Sequence, residues 1–446
     1  MVNLNINQSS ANQGSGIDVT SVVDQIIYAE QAPERIWQQQ QLVLAQQASA
    51  LNSLSSGMGA LKDKVLALTD LSGVLNAQTA VSSQPGLVSA SAQSSAASGV
   101  HALVVNHLAT VSSYYTDSVA SSSTTLAHGT FNLSVGQGSN TITVDGGNDT
   151  LDKLAAYINS HDYGVQASVL NDANGARLAL VSKTIGATGD LNVADNVTGL
   201  VFQKSADGVN ASFTLDGIPL GSANNTVSSV LPGVTLNLLA ANPASPVTLT
   251  IAPDTARVTQ AFSDFVSAYN SIIGSINSQF KASDQGSAGP LASNSSLRSL
   301  QNSLLSDVSY SVTGNNGLVN LASLGIDMQN DGTLTVDSAK LSSVLSSHFA
   351  DVQNFFQSVN AGGFGNHFSS DLNAQTSTTT GLLSLNLTEN SSNQKILANQ
   401  ISDFEDRLVF RRQFLINQYS QVDTMLRQYP LLLEQITSQL GTTSSK

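Results

Sequence analysis

Apolar residues recur at alternating intervals of three and four near both ends of this chain, and no other feature constrains the fold as strongly. The C-terminal series lies within residues 391–440 and consists of Leu397, Ile401, Phe404, Leu408, Leu415, Val422 and Met425. The N-terminal series consists of Trp37, Leu44, Leu51, Leu54, Met58, Leu61, Val65 and Leu68. Such spacing places one apolar stripe along a helix, as in a coiled coil. The two chain ends are therefore predicted to form long helices that pair.

Polar residues interrupt both stripes. They are Gln40, Gln47, Arg411 and Gln418. In an antiparallel pair, the uninterrupted stretch 51–68 is expected to face 397–408, and the interrupted stretches are expected to face each other. A polar residue at a stripe position costs stability. The outer half is therefore expected to be loose in the monomer and ordered only against neighbouring molecules.

A short amphipathic segment precedes the N-terminal stripe and is predicted to be helical. It follows the flexible sequence Gly14-Ser15-Gly16, and Asp18 or Thr20 lies near its start. Together with the interrupted outer halves, it forms the candidate surface for assembly. The candidate residues are Ile26, Ile27, Trp37, Gln40, Leu44, Gln47, Arg411, Leu415, Gln418, Val422 and Met425.

The length and composition limit the possible classes of protein. A chain of 446 residues suggests two to four domains. The formal net charge is -14 and there is no basic block, which argues against nucleic acid or anionic membranes as partners. The absence of cysteine excludes disulfides and thiolate metal sites.

No targeting signal is evident at the N-terminus. Residues 1–15 are polar, lack the basic and apolar regions of a signal peptide, and are interpreted as a disordered arm. No apolar run approaches the ~18 residues of a membrane helix. Sequence patterns alone thus predict a soluble, cytoplasmic protein, unless export uses a route that reads an unfolded N-terminus.

The middle of the chain has the pattern of small antiparallel sheets. From about residue 87 to 253, short alternating apolar runs are separated by turn signals such as Asn174-Gly175 and Asp216-Gly217. One short helix is predicted over 150–160, inside this region. Helical periodicity returns at Asp254, and a later stretch, 362–380, is predicted to be a loop.

The predicted fold class is multidomain α+β. Both chain ends form a helical coiled-coil or bundle stem, and two nested small antiparallel β domains are inserted between them. The predicted parts are terminal coiled-coil helices at 1–45 and 406–446, partly disordered before assembly, a helical bundle at 46–84 and 254–405, a β domain at 85–120 and 206–253, and a nested β insert with one short helix at 121–205.

No catalytic or metal-binding motif emerges from the sequence. None of the six histidines has the H-E-x-x-H spacing of zinc enzymes. The stretch from Asp327 resembles the start of a calcium loop, but Ser338 stands where the bidentate glutamate is required. No G-x-S-x-G elbow occurs. We therefore predict a protein that is not an enzyme and has no catalytic residues, no cofactor and no metal.

Several segments, in the same order along the chain, resemble the bacterial flagellar hook-associated protein 2 family, the filament-cap proteins. They are GSGIDVTSVVDQIIYAEQAP from Gly14, ITVDGGNDTLDKLAAYIN from Ile142, VTQAFSDFVSAYNSIIGSIN from Val258, Gly289-Pro290-Leu291 with Leu297-Arg298-Ser299-Leu300, Leu324-Gly325-Ile326 with Asp331-Gly332-Thr333-Leu334, and the C-terminal pairs Gln400-Ile401, Arg407-Leu408 and Gln418-Tyr419 followed by Asp423-Thr424-Met425-Leu426. The segment from Ile142 is similar to the β insert of hook-associated proteins and flagellins.

This resemblance implies a structural protein that is exported unfolded by the flagellar type III apparatus, with an export chaperone. It implies a ring-like homo-oligomer at the distal filament tip that promotes flagellin polymerisation and prevents leakage of flagellin monomers. In some species, members are also associated with cell adhesion. It implies neither nucleic-acid binding nor membrane insertion. The alternatives are a hook–filament junction protein, a minor flagellin, or a secreted adhesin built on the β domains.

Overall fold

The structure, a computed structural model, describes residues 17–281, 288–358 and 362–441. The predicted arm at 1–15 and the flexible sequence at 14–16 lie outside the described residues. The chain divides into two compact units. The helical unit comprises the ranges Met1–Ala67, Phe262–Val344 and Ala350–Lys446, and the β unit comprises Leu68–Ala261 and Leu345–Phe349.

Several helices begin after a residue whose side chain accepts a hydrogen bond from a free N–H group of the first turn. The helices are α1 (Val19–Glu30), α2 (Ala32–Thr69), α3 (Leu151–Ser160), α4 (Thr255–Phe280), α5 (Ser295–Val308), α6 (Ser338–Ser347), α7 (Phe349–Gln357), α8 (Phe364–Gln375) and α9 (Leu382–Gly441). Asp18 caps α1 by accepting a 3.1 Å hydrogen bond from the Ser21 N–H, and Thr150 caps α3. Pro33 lies in the first turn of α2, where its missing N–H costs nothing.

All pairings between the described strands are antiparallel. The strands are β1 (Gln78–Ser82), β2 (Val88–Ala92), β3 (Gly99–His107), β4 (Val111–Thr116), β5 (Gly129–Val135), β6 (Gly138–Val144), β7 (Val165–Asp172), β8 (Gly175–Ile185), β9 (Leu191–Ala194), β10 (Phe202–Ala206), β11 (Ala211–Leu215), β12 (Ile218–Ser222), β13 (Thr226–Val227), β14 (Val234–Leu238), β15 (Val247–Pro253), β16 (Ile326–Met328) and β17 (Leu334–Val336). The predicted fold class, with helical chain ends and small antiparallel sheets between them, is confirmed.

A cluster of phenylalanines forms the core of the helical unit between α4, α7 and α8. The Phe262 and Phe356 rings lie 5.2 Å apart between centroids, and Phe265 meets Phe368 at 5.9 Å. The prediction of a loop at 362–380 is wrong, since α8 occupies most of that stretch. Phe364, Phe368 and Leu372 recur every four residues and are fully buried, so their burial stabilises a helix in a Gly- and Ser-rich segment.

The inner half of α2 packs on α4. Its apolar stripe from Leu51 to Val65 is buried, and Lys64 Nζ lies 2.9 Å from Asp264 Oδ2 on α4. Gly57 faces Ile272, where an added Cβ would lie 3.3 Å from the isoleucine side chain. The regular part of the N-terminal stripe therefore contacts α4.

The outer part of the β unit consists of two sheets that share one core. One sheet has the strand order β1-β15-β3-β11-β12 and the other has the order β13-β14-β2. Alternate residues of both sheets, such as Phe213 and Leu236, are buried in the same hydrophobic cluster. Asp216 and Gly217 join β11 to β12 with positive φ angles of 50° and 81°, as a tight hairpin turn requires.

The β unit has a second hydrophobic core, formed by residues that are inserted in the sequence between the strands of the first. Two further sheets, β10-β4-β8-β7 and β6-β5-β9, enclose the apolar face of α3 with Leu151, Leu154 and Ile158 fully buried. This core is the insert core. The prediction of a helix at 150–160 inside a β region is thus confirmed, while the residue boundaries predicted for the four parts of the chain stay predictions.

The chain enters and leaves the insert through neighbouring segments. The Thr110 N–H donates a 3.0 Å hydrogen bond to the Val209 carbonyl, and the Thr110 hydroxyl donates to the Asp207 carbonyl at 2.7 Å. Directly beyond, β4 pairs with β10. The insert therefore has a root of two chain segments held side by side.

Replacing Leu154 by alanine should destabilise the insert, because the fully buried side chain leaves a cavity. We expect a loss of about 2–5 kcal/mol, measured by calorimetric unfolding of the full chain. Leu170→Ala is the matched control, since Leu170 lies on β7 of the insert and is exposed. It should change stability by less than about 0.5 kcal/mol. Equal effects of the two variants would contradict the assignment of the insert core.

Candidate assembly surface

The first described helix lies on the outer half of α9. Val23 and Ile27 of α1 form a small buried cluster with Leu408 and Leu415 of α9. The two helices run antiparallel, because the Ile17 N–H donates to Asp423 Oδ1 at 2.9 Å while residues later in α1 contact earlier residues of α9. This cluster fixes the position of α1 on α9.

Ion pairs flank the cluster on both sides. Arg412 Nη2 lies 2.8 Å from Asp24 Oδ1, and Arg411 Nε lies 3.3 Å from Glu30 Oε1. Both charges of α1 are acidic, and both arginines belong to α9. Pairs this exposed contribute little, about 0–1 kcal/mol each, so the apolar cluster supplies most of the attraction and the charges fix its register.

The register between α2 and α9 differs from the prediction. The Trp37 ring meets Phe404 edge-on at 5.1 Å, the Leu44 carbonyl accepts a 3.3 Å hydrogen bond from Gln394, and Gln47 pairs with Asn390. The expected contact of 51–68 with 397–408 is therefore wrong, as is the expected meeting of Gln40 and Gln47 with Arg411 and Gln418. The inner half of α2 packs on α4, and the part of α9 around Arg411 is in contact with α1.

Gln47 has a specific role in this arrangement. Its side-chain amide donates a 3.0 Å hydrogen bond to the Pro290 carbonyl, and its oxygen faces the Asn390 amide at 3.4 Å. Asn390 in turn accepts a hydrogen bond from Gln394. The polar interruption of the stripe is thus satisfied by a short chain of amides, which specifies the pairing of α2 with α9.

An open groove lies between α2 and α9, with a volume of about 450 Å³. It is lined by Gln39, Gln40, Val43, Leu44, Gln47, Asn393, Ile396, Leu397 and Gln400. None of these side chains is charged. The floor is apolar, and Ile396 is 61% exposed on its edge. The groove therefore offers apolar contact and amide hydrogen bonds to a partner.

The outer part of α9 exposes large apolar side chains. Phe410 is 76% exposed and Met425 is 67% exposed. Further exposed apolar residues of this region are Phe414, Val422, Leu426, Tyr429, Leu431, Leu432, Leu433 and Ile436. Pro430 lies inside the helix and removes one backbone donor there. Contiguous exposed apolar surface of this kind marks an interaction site.

The structure divides the candidate assembly residues into three groups. Ile26, Ile27 and Leu415 lie in the cluster between α1 and α9. Gln40, Leu44 and Gln47 line the groove, close to the half-buried Trp37. Arg411 pairs with Glu30, and Gln418, Val422 and Met425 are exposed on α9. Their role in assembly stays a prediction.

Sequence reasoning missed several strongly exposed apolar residues, among them Ile396, Phe410 and Phe414. They lie off the stripe of threes and fours, so a search for buried positions passes over them. The available signal was local: Phe410 and Phe414 are four residues apart and share one face of the helix. Apolar residues on the face opposite a predicted seam indicate a second contact surface.

The described residues give no indication of metal or membrane chemistry. In the ranges 17–281, 288–358 and 362–441, His, Asp and Glu side chains form no group of three that could hold a metal ion. Across those same ranges, no helix combines the length and the apolar character needed to span a membrane.

Comparison with known proteins identifies the family. The model for the C-terminus of flagellar hook-associated protein 2 matches residues 208–430, the model for its N-terminus matches 15–112, and the flagellin hook IN motif matches 130–184. The last match covers much of the insert, whose similarity to hook-associated proteins and flagellins was predicted.

Individual relatives agree with the family models. The chain is 33% identical over 341 residues to the B-type flagellar hook-associated protein 2 of Pseudomonas aeruginosa, covering 69% of this chain and 72% of that protein. It is 27% identical over 367 residues to flagellar hook-associated protein 2 of Escherichia coli K12, covering 76% and 77%.

A solved structure agrees as well. The crystal structure of the D1-D2-D3 domains of the flagellar cap protein FliD from Escherichia coli matches with a TM-score of 0.57 and 25% identity. The match covers 76% of this chain and 99% of that one. The chain therefore belongs to the flagellar hook-associated protein 2 family, the structural proteins that cap the flagellar filament.

Proposed function

We propose that this protein forms a ring-like homo-oligomer at the distal tip of the flagellar filament, where it promotes flagellin polymerisation and prevents leakage of monomers. The observation that carries the proposal is the exposed apolar surface of α9 beside the uncharged groove. A single chain leaves this surface in contact with water, which is unfavourable by about 25 cal/mol for each Å². Contact with neighbouring subunits removes that cost.

The chemistry of the surface indicates how subunits associate. The groove residues are uncharged, and the exposed residues of outer α9 are largely aliphatic or aromatic. Association through such surfaces depends on apolar burial and amide hydrogen bonds, which salt screens little. We therefore assign the groove and outer α9 to contacts with further copies of the chain or with flagellin.

The proposal extends to the remaining partners and the location, with the family match as its support. The protein is a component of the flagellum, and the proposal adds secretion in an unfolded state through the type III apparatus with an export chaperone. A chain without cysteine forms no disulfide that could block passage of the unfolded chain. We assign it no catalytic activity, no cofactor, no nucleic-acid partner and no membrane insertion. The alternatives, a junction protein or an adhesin, are not favoured by the family match.

The capping role is tested in a flagellated strain from which the gene for its own cap protein has been deleted. Expression of this chain should lengthen the filaments and lower the amount of soluble flagellin in the medium, because an added cap retains incoming subunits. Filament length is measured by electron microscopy and flagellin by immunoblot. A vector without the gene serves as the control. Unchanged filaments and unchanged flagellin, with the protein detected at the tip, would contradict the proposal.

Ile396→Glu tests the groove as an assembly surface. A carboxylate on the edge of an apolar contact loses hydration without gaining a partner, so each subunit contact should weaken by about 1–3 kcal/mol. The measurement is the mass of the purified full chain by light scattering across a concentration series. Ile218→Glu is the matched control, since Ile218 lies on β12 and is also 61% exposed. Equal masses for both variants would exclude the groove from the interface.

A further inference from the structure

An acidic cluster around the buried Asp307 joins α4, α5 and α8 in the helical unit. Asp307 of α5 is only 3% exposed. On α8, His367 Nε2 lies 3.3 Å from Asp307 Oδ1. Asp371, one turn further along α8, adjoins Asp307 and accepts a hydrogen bond from the Ser303 hydroxyl. Two carboxyl groups and one imidazole thus meet where α5 packs against α8.

The surroundings of this cluster contain no compensating cation of fixed charge. In the described part of the chain, no ion pair links Asp307 or Asp371 to lysine or arginine. The Tyr269 hydroxyl of α4 and Asp307 Oδ2 have no hydrogen-bond partner there. The Tyr310 ring, just beyond the end of α5, stacks on His367 at 4.0 Å between centroids.

A shared proton resolves the conflict between the two carboxyl groups. A carboxylate buried beside a second, half-buried carboxylate is strongly destabilised, so the buried Asp307 retains its proton. Burial, reinforced by the Asp371 carboxylate, raises the pKa of Asp307 to about 8. Burial also raises the pKa of Tyr269 above its ordinary value, so that hydroxyl stays neutral. A protonated Asp307 donates to Asp371 and gives the pair its missing hydrogen bond.

We propose that Asp307, Asp371 and His367 form a pH-sensitive latch, which holds α5 against α8 while the cluster binds a proton and loosens the contact when that proton leaves. The latch is a property of the helical unit and does not depend on the capping role. It ties α5 to α8 through the His367–Asp307 contact and the Ser303–Asp371 hydrogen bond.

The sign of the pH dependence follows from the direction of the shift. The folded state raises the pKa of Asp307 above the ordinary value of 3.8, so the folded state binds the proton more tightly than the unfolded state. The stabilisation that Asp307 contributes to the folded state is fully present below about pH 3.8 and decreases as the pH rises to about 8.

The test is hydrogen exchange of the full chain at pH 6 and pH 9, corrected for the intrinsic exchange rates. We expect the protection of α5 and α8 to fall about a hundredfold between these pH values in the wild type, because a folded-state pKa of about 8 leaves about two pH units of linkage above pH 6. Strands of the insert core serve as an internal reference. In Asp307→Asn, which has no proton to lose, the protection of α5 and α8 should change no more than that reference.

Two further variants keep the result decisive. Asp327→Asn is the matched control, because Asp327 is an exposed carboxylate of the same unit whose side chain makes no hydrogen bond in the structure; it should behave as the wild type. Asp371→Asn removes the second carboxylate and should also reduce the fall, even if Asp307→Asn does not fold. A wild type whose protection is the same at both pH values, or an equal fall in Asp371→Asn, would overturn the proposal.

Discussion

The helical unit depends on the return of the C-terminal helix to the start of the chain. The bond between the Ile17 N–H and Asp423 joins residues 406 positions apart, and closing a flexible loop of that length costs about 5 kcal/mol in chain entropy. The exposed ion pairs of α1 are too weak to supply this. Burial of Val23, Ile27, Leu408 and Leu415, together with the Trp37–Phe404 contact, offsets it. The rest of the chain lies within the loop that this contact between the two ends closes.

Local signals in the sequence predicted much of this fold, because they depend on neighbouring residues alone. The cap at Asp18, the short helix after Thr150 and the Asp216-Gly217 turn are all present. Register could not be predicted in the same way. An apolar stripe indicates that one face of a helix is buried, but it does not specify which helix packs against that face. Here the inner half of α2 packs on α4, and α1 packs on the part of α9 where α2 was expected.

The candidate surface was predicted in part for a similar reason. Periodicity finds buried residues, so Leu415 and Ile27 were identified while the exposed Phe410 was not. Gln47 was expected to weaken the seam, yet the Pro290 carbonyl and Asn390 satisfy its amide. Those two partners lie more than two hundred residues away in the sequence. Only the fold shows that a polar interruption specifies a pairing.

The two-segment root of the insert has a consequence for how such proteins vary. Thr110 is hydrogen-bonded to the exit segment at Val209 and Asp207, and the insert core is separate from that of the outer sheets. The inserted segment beyond this root can therefore be lengthened, shortened or exchanged without altering the register of β3 with β11. The fold thus separates a module that is free to diverge under selection from the sheets that carry it.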